Sequence, residues 1–173
     1  MKRNDKNIVE FMLIYNRHKT KVYNFTLQML RDTDMTKDVV QNVFMKLFSN
    51  LNNIRNKSSI QSWIFKTTRN EIFTVYRKRK TRNEVNYDLN DEQFSVLEEN
   101  QISEEYEKKE LKELILKNLE QLPQEQKEVF LLKEYGQLSY REISGLLEID
   151  EGLVKSRLYK TRQKLISQLS KVL

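Results

Sequence analysis

The chain has 173 residues, 38% hydrophobic and 32% charged, with one proline, three glycines, no cysteine and a single histidine, His18. This composition excludes disulfides and thiolate or histidine-cluster zinc sites, so no metal and no cofactor are expected. Scarce turn formers among many Leu, Lys, Glu and Gln argue against a sandwich or barrel, and the longest apolar run, Phe11 to Tyr15, is far too short to span a bilayer. The expectation is a soluble, cytoplasmic, all-α protein with no membrane insertion. The net charge of +6 divides into +12 over residues 1–82, −8 over 83–110 and +2 over 111–173, with six basic side chains against one acidic in 151–173. Two basic regions joined by an acidic connector give the outline of a protein that touches nucleic acid twice.

An opening amphipathic stretch puts Ile8, Phe11, Met12 and Tyr15 on one side, and Val22, Phe25, Met29 and Leu30 continue the pattern. The cluster Arg31-Asp32-Thr33-Asp34 interrupts it, and Asp34 is the expected N-cap of the next helix. That helix carries Val40, Val43, Phe44, Leu47, Phe48 and Leu51 at spacings of three and four, with Asp38, Gln41, Asn42 and Met45 towards its other side. Phe11, Phe25, Phe44 and Phe48 read as core, and no role is assigned to His18. A polar loop spans 52–59. The helix after it turns Trp63, Ile64, Thr67, Ile72, Val75 and Tyr76 inward and leaves Lys66, Arg69, Asn70, Arg77 and Lys78 to solvent. It ends in the basic tract 77–82.

Residues 83–110 lose helical periodicity and read as a flexible acidic linker, although the run 104–110 is compatible with the helix that continues through Leu111, Leu114, Ile115 and Leu119. Pro123 stands where a helix can begin, and that helix ends near Gly136. Ser139-Tyr140-Arg141-Glu142 has the spacing of a capping box and opens a short helix with Ile143, Leu146 and Leu147 inward. After a break at 148–150, Asp150 caps a second helix, which makes the pair a helix-turn-helix. At about 100° per residue, Val154, Leu158, Thr161 and Leu165 form the core side of that last helix. Gly152, Lys155, Ser156, Tyr159, Lys160 and Gln163 then face away, with Arg157, Arg162 and Lys164 on the flanks. Such a face suits phosphates and base edges.

Three stretches carry a family resemblance: Leu-Pro-Gln-Glu-Gln-Lys-Glu-Val-Phe-Leu-Leu at 122–132, Gly-Gln-Leu-Ser-Tyr-Arg-Glu-Ile-Ser at 136–144, and Ile-Asp-Glu-Gly-Leu-Val-Lys-Ser-Arg-Leu-Tyr-Lys-Thr-Arg at 149–162. Together they resemble region 4 of bacterial RNA polymerase sigma factors, which binds the promoter −35 element. Lys37 to Phe44 and Ser62 to Asn70 resemble region 2, which binds the polymerase clamp helices and melts the −10 element. Both regions in this order, with nothing large between them, resemble the extracytoplasmic-function (ECF) type. The implied division is region 2 over 1–82, an acidic linker over 83–110 and region 4 over 111–173, two small helical domains in all.

The resemblance implies roles residue by residue. Asp38, Gln41, Asn42 and Met45 would contact core polymerase. Asn53, Arg55, Asn56, Lys57, Ser58 and Ser59 would capture a flipped base of the −10 element, with Trp63, Lys66, Arg69, Asn70 and Arg77 along the strand. By its place at the start of an amphipathic helix, Trp63 reads first as a core anchor. Ser139, Tyr140, Arg141, Lys155, Ser156, Arg157, Tyr159, Lys160 and Arg162 would contact the −35 element. Core RNA polymerase, promoter DNA and an anti-sigma factor are the implied partners. The chain departs from the family at Leu153, where Thr is usual, at Ser144 and Gly145, and at Thr67 and Thr68. No P-loop, nucleophile elbow or paired carboxylates point to an enzyme. A stand-alone helix-turn-helix regulator gives no account of the motifs at 38–44 and 63–70, and a helical RNA-binding module gives none of the helix-turn-helix.

Overall fold

A computed structural model describes residues 3–82 and 105–171, which form two compact helical units. The first holds α1 (Arg3–Leu30), α2 (Thr33–Asn50) and α3 (Ile60–Thr81), with single 3-10 turns at Leu51–Asn53 and Lys57–Ser59 between the last two. The second holds α4 (Glu105–Glu120), α5 (Gln124–Glu134), α6 (Tyr140–Leu147) and α7 (Glu151–Leu169). Among the described residues there is no strand, as the composition requires. None of the described helices is long and apolar enough to cross a membrane. The predicted linker lies outside the described residues over 83–104, and Glu105 to Glu110 already belong to α4.

The core of the first unit gathers Val22, Phe25, Leu27, Met29 and Leu30 of α1, Val39, Val43, Phe44 and Leu47 of α2, and Ile60, Ile64, Phe65 and Ile72 of α3. Phe25 and Phe65 meet edge to face at 5.8 Å, a preferred arrangement of two aromatic rings. Around this core several expectations shift by one position. Val39 is 2% exposed while Val40 is half-buried, and Phe65 and Thr68 are fully buried while Thr67 is half-buried. Thr68 satisfies its hydroxyl by donating to the Ile64 carbonyl at 2.8 Å, which lets a polar side chain take an interior position.

Asp32, rather than Asp34, caps α2. Its backbone is extended (φ −148°, ψ 115°), and its carboxylate accepts from the Met35 N–H at 2.9 Å. Asp34 is exposed and pairs with Lys37 at 3.8 Å. The Asp32 cap is tied to the far end of α3, because Arg79 donates to Asp32 Oδ2, to the Leu30 carbonyl and to Met35 Sδ. The Tyr76 hydroxyl closes the same end by donating to the Met29 carbonyl at 2.7 Å. Arg79 is therefore folded inward and removed from the solvated basic tract.

In the second unit, α5 and α7 pack against each other, with α4 and α6 docked on α7. Leu116, Leu119, Leu122, Val129, Leu131, Leu132, Leu138 and Ile143 are buried with the α7 stripe. Leu111 is 39% exposed, whereas Leu116, later on the same helix, is buried. Left-handed backbone stands directly after α1 at Arg31 and after α6 at Glu148, and three residues beyond α5 at Gln137 (φ 54°, 55° and 55°), and no glycine has a positive φ. Gly136 marks the end of α5 as expected, but the left-handed residue is its neighbour Gln137.

His18 belongs to this architecture after all. It is 6% exposed, and its Nδ1 has no hydrogen-bond partner among the described residues. Burial first, then the charges of Lys21 and Arg17, hold its pKa below the ordinary 6.5. As pH falls through 6.5 the unfolded chain therefore takes up a proton at His18 more readily than the folded chain does. Stability from this group is complete above that pH and is lost as pH falls below it. The Tm of the wild type should therefore drop between about pH 7.5 and about pH 5.5, and His18→Gln should flatten that slope. Equal slopes in the two proteins would refute the assignment.

Candidate functional site

The helix-turn-helix is built by local chemistry. The Ser139 hydroxyl accepts from the Glu142 N–H at 3.2 Å and the Glu142 carboxylate accepts from the Ser139 N–H at 2.7 Å, a complete capping box at the start of α6. Glu148 turns the chain in left-handed conformation, and the Ser144 hydroxyl donates to the Ile149 carbonyl at 2.6 Å. Asp150 then caps α7, its carboxylate accepting from the Gly152 N–H at 2.7 Å. A Cβ on Gly152 would come 2.6 Å from Asp150 Oδ2, so a larger residue there would make the capping carboxylate shift.

On α7, Val154, Leu158, Thr161 and Leu165 are all buried, the four positions named from periodicity. Lys155, Tyr159 and Lys160 are exposed on the opposite side, Tyr159 to 66%, and Ser156 is half-buried. Tyr140, at the first residue of α6, has the Lys133 ammonium 5.0 Å and the Lys155 ammonium 5.9 Å from its ring centroid. Both lie within cation–π range, so the ring restrains two flexible cations near one surface. Ser139 and Arg141 are exposed beside it.

Arg157 and Arg162 also make ion pairs within the unit. Arg157 pairs with Glu125 at 2.7 Å with 18% of its side chain exposed, and Arg162 pairs with Glu134 at 2.8 Å. The Glu134 hydrogen bond is the main reason that the Arg162 pKa is raised, with a weaker contribution from the Tyr140 hydroxyl. Both arginines brace α7 against α5.

In the first unit, Asp38, Gln41, Asn42 and Met45 follow one another along the exposed side of α2, Met45 at 60%. Beside them Phe48 is 46% exposed and Phe11 is half-buried, which corrects their placement in the core. The two rings meet edge to face at 5.2 Å, and Tyr15 meets Phe44 at 4.8 Å. With Gln41, Val40 and Met45 these rings line an open apolar groove of about 700 Å³ between α1 and α2. Ile8, Met12 and Leu13 of α1 are also exposed, to 45%, 48% and 67%.

The loop before α3 is largely self-satisfied. Asn56 Oδ1 accepts from the Ser58 N–H and hydroxyl, the Ser59 hydroxyl donates to the Asn56 carbonyl at 2.6 Å, and Lys57 pairs with Glu10 at 2.5 Å. Asn53 and Arg55 are exposed. Along α3, Trp63, Lys66, Asn70 and Arg77 share one stripe at helical spacing, with Lys66, Asn70 and Arg77 exposed and Trp63 half-buried. Phe73 falls in the same stripe and carries the Arg69 guanidinium 4.6 Å above its ring. Sequence reasoning passed over Phe73, although its spacing from Asn70 and Arg77 was visible. Among the described residues no group of three His, Cys, Asp or Glu side chains could hold a metal ion.

The second unit thus has the class geometry of a DNA-binding helix-turn-helix. The first is a separate three-helix unit with a polar and aromatic face. Comparison with known proteins supplies the family. Sigma-70 region 2 matches residues 14–82, and Sigma-70 region 4 matches residues 112–165. The chain is 28% identical over 152 residues to the ECF RNA polymerase sigma factor SigM of Bacillus subtilis, covering 88% of this chain and 90% of that one. It is 34% identical over 136 residues to RNA polymerase sigma factor SigZ of the same organism, covering 79% and 73%. The fold is shared with the sigma factor RpoE of Bartonella quintana, solved with the anti-sigma factor NepR, at a TM-score of 0.73 and 21% identity over 93% of this chain and 97% of that one. The chain belongs to the sigma-70 family of RNA polymerase sigma factors, as a member of the ECF type. Its activity is promoter-specific initiation of transcription.

The bracing role of Arg157 can be measured. A double-mutant cycle of Arg157→Ala with Glu125→Ala, read by thermal denaturation, should give a coupling of about 0.2–1 kcal/mol, the range for pairs with an exposed partner. Absence of coupling would remove the bracing role of Arg157.

Proposed function

We propose that the two units divide the work of the sigma factor, the first engaging core RNA polymerase and the −10 element and the second engaging the −35 element. The observation that carries this reading is α7, where a fully buried stripe leaves Lys155, Tyr159 and Lys160 facing outward from the same helix. Such a face combines two phosphate-binding ammonium groups with an amphipathic ring. Lys155 and Lys160 hold phosphates or base edges of the −35 element, with Ser156 and Tyr140 beside them. Ser139 and Arg141 contact the adjoining backbone.

In the first unit, Asp38, Gln41, Asn42 and Met45 meet the polymerase clamp, and the apolar groove beside Gln41 and Met45 extends that contact. The stripe on α3 tracks the non-template strand through Lys66, Arg69, Asn70 and Arg77, while Asn53 and Arg55 meet a flipped base. Aromatic rings interleaved with cations suit single-stranded DNA, since every base has a face to stack. Trp63 and Phe73 are the rings available for that purpose. The protein acts by binding rather than by catalysis, in the cytoplasm where polymerase works. By analogy with its Bartonella relative, an anti-sigma factor holds it inactive.

Two titrations separate the two surfaces. Asp38→Ala with Gln41→Ala should leave stability within about 0.5 kcal/mol of wild type and weaken binding to core polymerase. Lys155→Ala and Lys160→Ala should leave core binding intact and weaken the binding of the holoenzyme to promoter DNA. A lost phosphate contact should lower the salt slope by about one unit. Unchanged core affinity in the first variant, or unchanged promoter affinity in both lysine variants, would remove the corresponding assignment.

A further inference from the structure

Leu153 is the third residue of α7 and is 41% exposed, in the same helical turn as the fully buried Val154. Rotation by about 100° per residue takes its side chain off the core side and onto the flank shared by Ser156 and Lys160. Its backbone is held rigidly, because the Asp150 cap fixes the first turn through the Gly152 N–H. Gly152 offers no side chain, so Leu153 is the first apolar group that α7 presents beyond its cap. Truncating a side chain this exposed removes little from the core.

The first turn of a recognition helix is the part that reaches base edges in the major groove. Leucine has neither donor nor acceptor. The single major-groove group that an aliphatic side chain can recognise by contact is the 5-methyl of thymine. Adenine, guanine and cytosine offer polar groups there, and a leucine set against them would strip their water without replacing its hydrogen bonds.

We infer that Leu153 is a specificity-determining residue that selects a thymine in the −35 element by contact with its methyl group. This inference rests on the reading of α7 as the −35 helix. It assigns to one apolar side chain a preference that a lysine contact with phosphate does not supply.

The test uses the full-length protein with core polymerase and, as probe, the duplex that this holoenzyme selects from a library randomised across the −35 region. Each thymine of the selected element is replaced in turn by deoxyuridine, which keeps the hydrogen-bonding edge and lacks the methyl. One replacement should weaken wild-type binding about fourfold, the worth of one buried methyl group. The same replacement should have no effect on Leu153→Ala and a retained effect on Leu153→Met. A selected element without thymine, a flat uracil scan, or an undiminished uracil effect in Leu153→Ala would overturn the inference. Lys155→Ala tells this failure from a deeper one. If that variant binds the probe more weakly while the uracil scan is flat, only the leucine contact is wrong. If Lys155→Ala and Leu153→Ala both bind as wild type, α7 is not the reading helix.

Discussion

The outward surface of the second unit depends on burying four side chains of one helix. Val154, Leu158, Thr161 and Leu165 fix the rotation of α7 about its axis, and every exposed group on it inherits its direction from that rotation. The stripe needs something to pack on, and α5 and α4 supply it. The eight-residue α6 is too short to be stable alone and persists because its ends are closed by the Ser139–Glu142 box and the Glu148 turn. Removal of the apolar stripe would leave the caps with no helix to orient. The converse is milder, since a lost cap typically costs about 1 kcal/mol and leaves the stripe in place.

This dependence explains which parts of the architecture could be read from residues alone. The α7 faces were legible because helical rotation is a local rule and all four inward positions obey it. The capping box and the Asp150 cap were legible for the same reason. The ion pairs of Arg157 and Arg162 were not legible, because their acidic partners lie 32 and 28 residues away, beyond the reach of any local pattern. The inward turn of Arg79 out of the basic tract was hidden for the same reason, its partner Asp32 being 47 residues distant. The placement of the α2 cap at Asp34 failed differently. Two aspartates separated by one threonine offer the same chemistry, and only the extended backbone at Asp32 decides between them.

Aromatic residues show the other limit of periodicity. It names the face on which Phe11 and Phe48 lie but not whether a neighbour covers that face. At some 28 residues, α1 is about 42 Å long against about 27 Å for α2, so part of α1 extends past its partner. The C-terminal half of α1 is buried almost all round, while its N-terminal half carries the exposed Ile8, Val9, Met12 and Leu13. In the groove between α1 and α2 the rings of Phe48, Phe11, Tyr15 and Phe44 meet in a row that runs from the exposed rim to the core.

The left-handed residues at Arg31, Gln137 and Glu148 bear on how the units come apart. Each is a long polar residue in a conformation that favours glycine, which costs of order 1 kcal/mol or more at each site. The chain accepts this bend because hydrogen bonds close it, as the Arg31 N–H does with the Leu27 carbonyl and the Ile149 N–H with the Ser144 carbonyl. The joints are thus clips bent against their own preference. When the closing bonds of one clip break, the relaxed backbone swings away from the left-handed region and carries the next helix with it.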